Sequence, residues 1–213
     1  MRSFIPVALL LAAPAAAQEA APAAPAATVD PFAQALAARQ VADFARRTKD
    51  AAAMVTAAQM LREIPFRDAA AGGVDNGGFT AAGLFAEART LAGSNAPLLA
   101  QIDFAERAAG SRGVTASAFG KGLVRSVQTV DPRGAYRFNV TAAGGTPLRV
   151  GAIGDVGTAL AMRVQDAGGR TVCMDDNADY APVCQLTPKA NAQYRIDILN
   201  KSPAKSRAVI LSN

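Results

Sequence analysis

The side chains best suited to chemistry gather between Arg170 and Asn200, in the stretch RTVCMDDNADYAPVCQLTPKANAQYRIDILN. It holds the only two cysteines, Cys173 and Cys184, on either side of an acidic run, Asp175, Asp176, Asn177 and Asp179. Oxygen-bearing side chains at alternating positions are what a calcium loop requires. The run departs from the EF-hand pattern, because Tyr180 stands where the glycine belongs and Leu186 where the bidentate glutamate belongs. An Asp/Asn run between two short strands is also good turn chemistry. The expectation is therefore a plain turn and no cofactor, with a calcium loop at Asp175, Asp176, Asn177 and Asp179 as the minority alternative.

Catalytic groups are scarce. The chain has no histidine, which removes the commonest general base and the commonest metal ligand. A hydrolase would need a Ser–Lys or paired-carboxylate arrangement. Asp131, Asp155 and Asp166 fall near expected strand ends, but their spacing selects no acid and base. The expectation is a protein that is not an enzyme. Tyr136, Tyr180 and Tyr194 read as strand residues rather than a carbohydrate- or peptide-binding surface, with the Tyr194 ring anchoring the last strands.

The first residues read as a targeting signal. Arg2 is followed by the apolar run FIPVALLLAA, a break at Pro14 and the small residues Ala15, Ala16 and Ala17. Cleavage near Ala17 would start the mature chain at Gln18. The apolar run is too short for a permanent span, and an uncleaved anchor is the alternative. The expected location is the periplasm or the extracellular medium. In an oxidising compartment Cys173 and Cys184 form one disulfide, read here as a staple across a hairpin.

The net charge of +5 is uneven. Asp30 to Ala109 carries eight basic against nine acidic residues, whereas Gly110 to Asn213 carries thirteen against seven. Arg125, Arg137, Arg149, Arg163 and Arg195 are spread singly along the second half as candidates for binding an anionic polymer. The bland alternative is a solvated, solubilising surface. No run of Lys or Arg and no interleaved aromatic platform suggests nucleic acid as a partner.

The elements that would position these groups follow from the change of period along the chain. Residues 18–29 form an Ala/Pro-rich tether. Asp30-Pro31 opens a helix to about Thr48, and Asp50 caps a second that stops at Pro65. Phe66 to Gly78 reads as loop. Thr80 caps a third helix ended by Gly93, and Ser94 or Asn95 caps a fourth ended by Gly110. Residues 30–110 thus make two helical hairpins, and 111–122 is a linker. From residue 123 the period drops to two, with about eight short strands separated by Gly-, Asn- and Pro-rich turns. The fold class is α+β in two domains, a four-helix region followed by an antiparallel, jelly-roll-like β-sandwich over 123–213.

The segment GDVGTALAMRVQDAGGRTVCMDDNADYAPVCQLTPKANAQYRIDILN resembles the second half of the bacterial pre-peptidase C-terminal domain, and the likeness extends from about Val124 to the end. The matching features are Gly154-Asp155 before an apolar strand, Asp166 with Gly168-Gly169 at the next turn, and Asp175-Asp176 after the next strand. Thr187-Pro188, Tyr194 alternating into Ile196 and Ile198, and Asn200 also match. The chain departs from the pattern at Asp155-Val-Gly-Thr158, which keeps one carboxylate of an Asp-x-Asp, and at Leu186, where an aromatic is usual. The resemblance implies a secreted, non-catalytic β-sandwich, sometimes calcium-stabilised and sometimes adhesive. Two functions follow as expectations: an exported accessory protein whose helical hairpins meet a partner, or an envelope protein that binds an anionic polymer.

Overall fold

The computed structural model describes residues 30–68, 78–110 and 122–213. The expected signal peptide, the tether and all of the 111–122 linker except Gly122 lie outside the described residues, as does most of GGVDNGG.

The helices begin where the sequence supplies caps. α1 (Pro31–Thr48) starts at Asp30, whose carboxylate accepts the Phe32 N–H at 3.0 Å. Lys49, in the left-handed region at φ 56°, ends it. Asp50 then caps α2 (Ala51–Arg62) by accepting from the N–H groups of Ala52 and Ala53 at 2.9 and 3.0 Å. The Thr80 hydroxyl accepts from Gly83 at the start of α3 (Ala81–Ala92), and Asn95 accepts from Leu98 at the start of α4 (Ala96–Gly110). Each such cap contributes about 1 kcal/mol by satisfying an otherwise orphaned donor. The helices pack in chain order. Ala35, Ala38, Ala42 and Ala45 of α1 and Ala57 and Ala58 of α2 are fully buried, so their small side chains let the backbones approach closely.

β1 (Phe66–Asp68) corrects the loop reading of this segment. It pairs in parallel with β2 (Leu123–Val130), Phe66 opposite Leu123. Three residues are too few for alternation to show in a sequence, and the pairing partner is remote along the chain. The remaining strands are β3 (Ala135–Ala142), β4 (Leu148–Ile153), β5 (Leu160–Gln165), β6 (Thr171–Asp175), β7 (Val183–Leu186), β8 (Ala192–Asn200) and β9 (Ser206–Ser212). They form a five-stranded sheet in the order β1-β2-β9-β4-β7 and a four-stranded sheet in the order β3-β8-β5-β6. All pairings except β1–β2 are antiparallel. The α+β class and the sandwich therefore stand.

Three layers result. Val150, Ala152, Met162, Val164, Ile196, Ile198 and Ile210 fill the space between the sheets. The other face of the five-stranded sheet contributes Leu123, Ile153, Val209 and Leu211 to a core shared with Phe32, Met54, Leu61, Leu84, Phe85 and Ile102 of the helices. β9 lies between both cores, so its Ala208, Val209, Ile210 and Leu211 are all buried, alternately towards the partner sheet and the helices. An uninterrupted apolar run is the composition that two covered faces demand.

Asn200 closes the sandwich. Its amide donates to the carbonyls of Val130 and Ala204 at 3.1 and 2.7 Å, and its side-chain oxygen accepts from Ser202 at 2.9 Å. The end of β8 is thereby tied to the end of β2 and to the turn before β9.

Candidate functional site

Cys173 and Cys184 form the disulfide, with their Cα atoms 6.0 Å apart. The bond is not a hairpin staple: β6 is an edge of the four-stranded sheet and β7 an edge of the five-stranded one, so it joins the two sheets. The chain crosses between layers in the residues that link the strands, which a period-two pattern does not reveal.

That crossing carries the acidic run, and its carboxylates diverge. Asp175 accepts from the Asn177 amide at 2.8 Å and from the Val183 N–H at 2.8 Å, closing its own loop. Asp176 pairs with Lys201. Asp179 accepts from the Arg39 guanidinium of α1 at 2.6 and 2.5 Å. Asp175, Asp176 and Asp179 thus point to separate partners, with Asn177 bonded to Asp175, and no group of three or more His, Cys, Asp or Glu placed to hold a metal occurs among the described residues.

The five candidate arginines divide between two faces of the sandwich. Arg125 and Arg149 belong to the helix-covered sheet: Arg125 stacks on Phe66, while Arg149 stacks on Phe32 and pairs with Asp30. That contact, opposed by partial burial, holds the Asp30 carboxyl below its usual range. Arg137, Arg163 and Arg195 lie on the outer face of the four-stranded sheet and surround Asp197, whose side chain is 1% exposed. The structure brings three of the five together and sets the other two apart. Tyr194 is buried, and Tyr136 is half-buried against Phe138 at 5.7 Å between ring centroids.

The most concentrated polar arrangement joins the helices to the sandwich. Tyr180, buried between α1 and the sheet, donates to Asp43 and accepts from Arg46 at 3.3 Å. Arg46 holds Glu87 of α3 through two bonds of 2.7 and 2.8 Å and Asp43 through one of 3.0 Å. Arg39 pairs with Asp43 at 2.9 Å and lies over the Tyr180 ring, 4.6 Å from its centroid. Burial works against the Arg46 charge, but Glu87, Tyr180 and Asp43 outweigh it and raise its pKa. Burial first, and then the bond to Asp43, push the Tyr180 hydroxyl up to about 12. The sequence signals only part of this: Arg39, Asp43 and Arg46 sit one helical turn apart on α1, but nothing local pairs them with Tyr180, Asp179 or Glu87.

A cleft of about 170 Å³ opens beside the joint, lined by Arg46, Glu87, Tyr180, Asp155, Val156 and Arg207. Asp155 is held by the Arg207 N–H at 2.9 Å and by its guanidinium at 3.7 Å. Gly154 is needed where it stands, since a Cβ there would lie 2.7 Å from the Ser206 hydroxyl and 2.8 Å from Leu160. The cleft has room for about five waters at roughly 30 Å³ each. Its charges are matched, and its tyrosine is moved away from neutral pH. Acid–base catalysis calls for the opposite tuning.

No family model matches the chain, and no curated protein matches it. Among solved structures, it is similar to PliG of Aeromonas hydrophila, a periplasmic inhibitor of g-type lysozyme, at 10% identity and a TM-score of 0.35 over 44% of this chain and 87% of that one. It is similar to the pre-peptidase C-terminal domain of collagenase from Bacillus anthracis at 4% identity and a TM-score of 0.35, over 42% and 87% of the two chains. It is also similar to the Yersinia pseudotuberculosis-derived mitogen at 12% identity and a TM-score of 0.32, over 43% and 84%. All three TM-scores lie below 0.5, too low to carry an inference about what this chain does.

Proposed function

We propose that the protein is an exported, non-catalytic accessory protein that works by binding through its surface. The observation that best supports this is the joint at Tyr180. Arg39, Asp43, Arg46, Glu87, Asp179 and Tyr180 beside the cleft are engaged with one another and hold the helices to the sandwich, and the Tyr180 hydroxyl is pushed upward, away from neutral pH. The absence of histidine from the whole sequence points the same way. The Cys173–Cys184 bond suits an oxidising compartment. On this reading the helical layer offers a partner surface, with the exposed aromatics Phe44 of α1 and Phe104 of α4 as its apolar contacts.

The test is retention on an immobilised envelope extract at about 25 and 150 mM salt, across which surface electrostatics weaken as the Debye length shortens. Wild type is compared with the variants F44S/F104S and R137Q/R195Q. Loss of retention in F44S/F104S at both salt concentrations supports a partner on the helices. No retention of wild type under either condition overturns the binding reading.

A further inference from the structure

One outer face of the sandwich lies under the helices; the other, on the four-stranded sheet, has no described element over it. Strand register builds two rows on this open face. Arg137 of β3, Asp197 of β8 and Arg163 of β5 stand side by side, followed by Met174 of β6. Two residues along β8, Arg195 stands between Asn139 and Gln165. With strands about 4.8 Å apart and rows about 6.7 Å apart, the three guanidinium-bearing positions fall within roughly 10 Å of one another.

Their charges do not balance. Asp197 is buried beneath them and needs a partner, because an unpaired buried carboxylate is costly. Arg163 supplies its hydrogen bonds, of 3.2 and 2.6 Å to Oδ2. Arg137 and Arg195 form looser ion pairs with Oδ1, at 3.6 and 3.2 Å, and that oxygen makes no aligned hydrogen bond. Arg195 also donates to Gln165. One carboxylate offsets one of three guanidiniums, so about two positive charges remain on side chains that are 64% exposed at Arg137 and 49% at Arg195. The hydrogen bonds that hold Asp197 occupy one arginine, and the other two remain about half or more exposed.

We infer that this face binds an acidic polysaccharide, with Arg137 and Arg195 contacting its carboxylate or sulfate groups and Arg163 held in place by Asp197. The inference rests on the surface-binding reading and gives it a ligand class. The two rows lie across neighbouring strands of an uncovered sheet face, which leaves them open to an extended chain. Asn139 and Gln165 offer amides to hydroxyl groups, and Met174, 57% exposed, offers an apolar edge to a sugar ring. Tyr136 and Phe138 of the neighbouring strand belong to the core between the sheets, so these rows lack the stacking platform that nucleic-acid bases require.

The test measures binding of the full mature chain to polygalacturonate, dextran sulfate, neutral dextran, polyglutamate and duplex DNA at about 25 and 150 mM salt. Polygalacturonate or dextran sulfate should bind, and the stronger of the two tells a uronate from a sulfate ligand; neutral dextran should not bind. R137Q/R195Q leaves the Arg163–Asp197 bonds intact and should weaken binding about tenfold, the equivalent of two exposed ion pairs. The single R137Q repeats the test at the most exposed of the three arginines. K205Q, a control at the exposed Lys205–Asp131 pair, should bind as wild type does. D197N keeps all three cations and should bind at least as tightly as wild type. Unchanged affinity in R137Q/R195Q and R137Q overturns the inference, as does tighter binding of duplex DNA or polyglutamate than of either acidic polysaccharide. If neither acidic polysaccharide binds while envelope retention persists and depends on Phe44 and Phe104, the ligand class falls and the surface-binding reading stands.

Discussion

Replacing Tyr180 by phenylalanine tests the joint between helices and sandwich more directly than any other single change. The hydroxyl donates to Asp43 and accepts from Arg46. Without it neither partner is orphaned, because Arg46 keeps Glu87 and Asp43 keeps Arg39. Two bonds to charged groups, lost without leaving an unpaired charge, cost about 1.5–2.5 kcal/mol at neutral pH. The pH dependence gives this loss a signature that a generic packing defect lacks. The folded Tyr180 titrates near 12 rather than 10, so its contribution is fully present below pH 10 and is lost as pH rises towards 12. Between those values the unfolded chain has released a proton that the folded chain retains. Stability then falls by about 1.4 kcal/mol per pH unit.

Y180F lacks this term. The stability gap between wild type and Y180F should therefore be flat from pH 7 to about 9.5 and shrink by about 2 kcal/mol at pH 11.5. Urea denaturation followed by circular dichroism at half-unit pH steps measures it, and Tyr136 and Tyr194, present in both proteins, cancel in the difference. A gap that stays constant up to pH 11.5 refutes the reasoning, as does a cost below about 0.5 kcal/mol at pH 7, because either result places the hydroxyl in water rather than on Asp43.

Two further perturbations address the sandwich itself. Converting both Cys173 and Cys184 to alanine should lower stability by about 2–3 kcal/mol, the amount expected for opening a loop of this size, with a matching loss when wild type is reduced; equal midpoints in urea with and without reductant would remove the bond from the stability argument. Asn200→Ala deletes three hydrogen bonds and leaves the Val130 and Ala204 carbonyls without their amide donor, at a cost of about 2–4 kcal/mol. A midpoint shift no larger than that of an exposed Asn→Ala change elsewhere, such as at Asn139, would show that water replaces the amide at no cost.

How much of this was legible depends on whether the information is local. The helix starts were readable because capping is a contact across two or three residues, as at Asp30, Asp50 and Thr80. The strands after residue 122 were readable because alternation repeats within each of them. β1 was not, since a three-residue strand has no period and its pairing with Leu123, Val124 and Arg125 is long-range. The five arginines looked alike in the sequence because each sits singly in a strand. Which face they share depends on sheet membership, and register then separates Arg125 and Arg149 from the three around Asp197.

The cysteines show the same limit from the other side. Their pairing follows from count and compartment alone, but whether the bond spans a hairpin or two sheets depends on where the chain changes layer. That change happens in the acidic run, where Asp179 reaches α1 through Arg39, and the next residue, Tyr180, reaches it through Asp43. A turn within one sheet would have needed only local Asp and Asn bonds of the kind Asp175 makes. The residues beyond Asn177 form bonds to a helix more than 130 positions earlier, so here the acidic side chains link layers as well as shaping a turn. β9 carries a trace of that third layer in the sequence: a sandwich strand with one face in water alternates, whereas Ala208 to Leu211 does not, and the helices are what cover the face that alternation would have left polar.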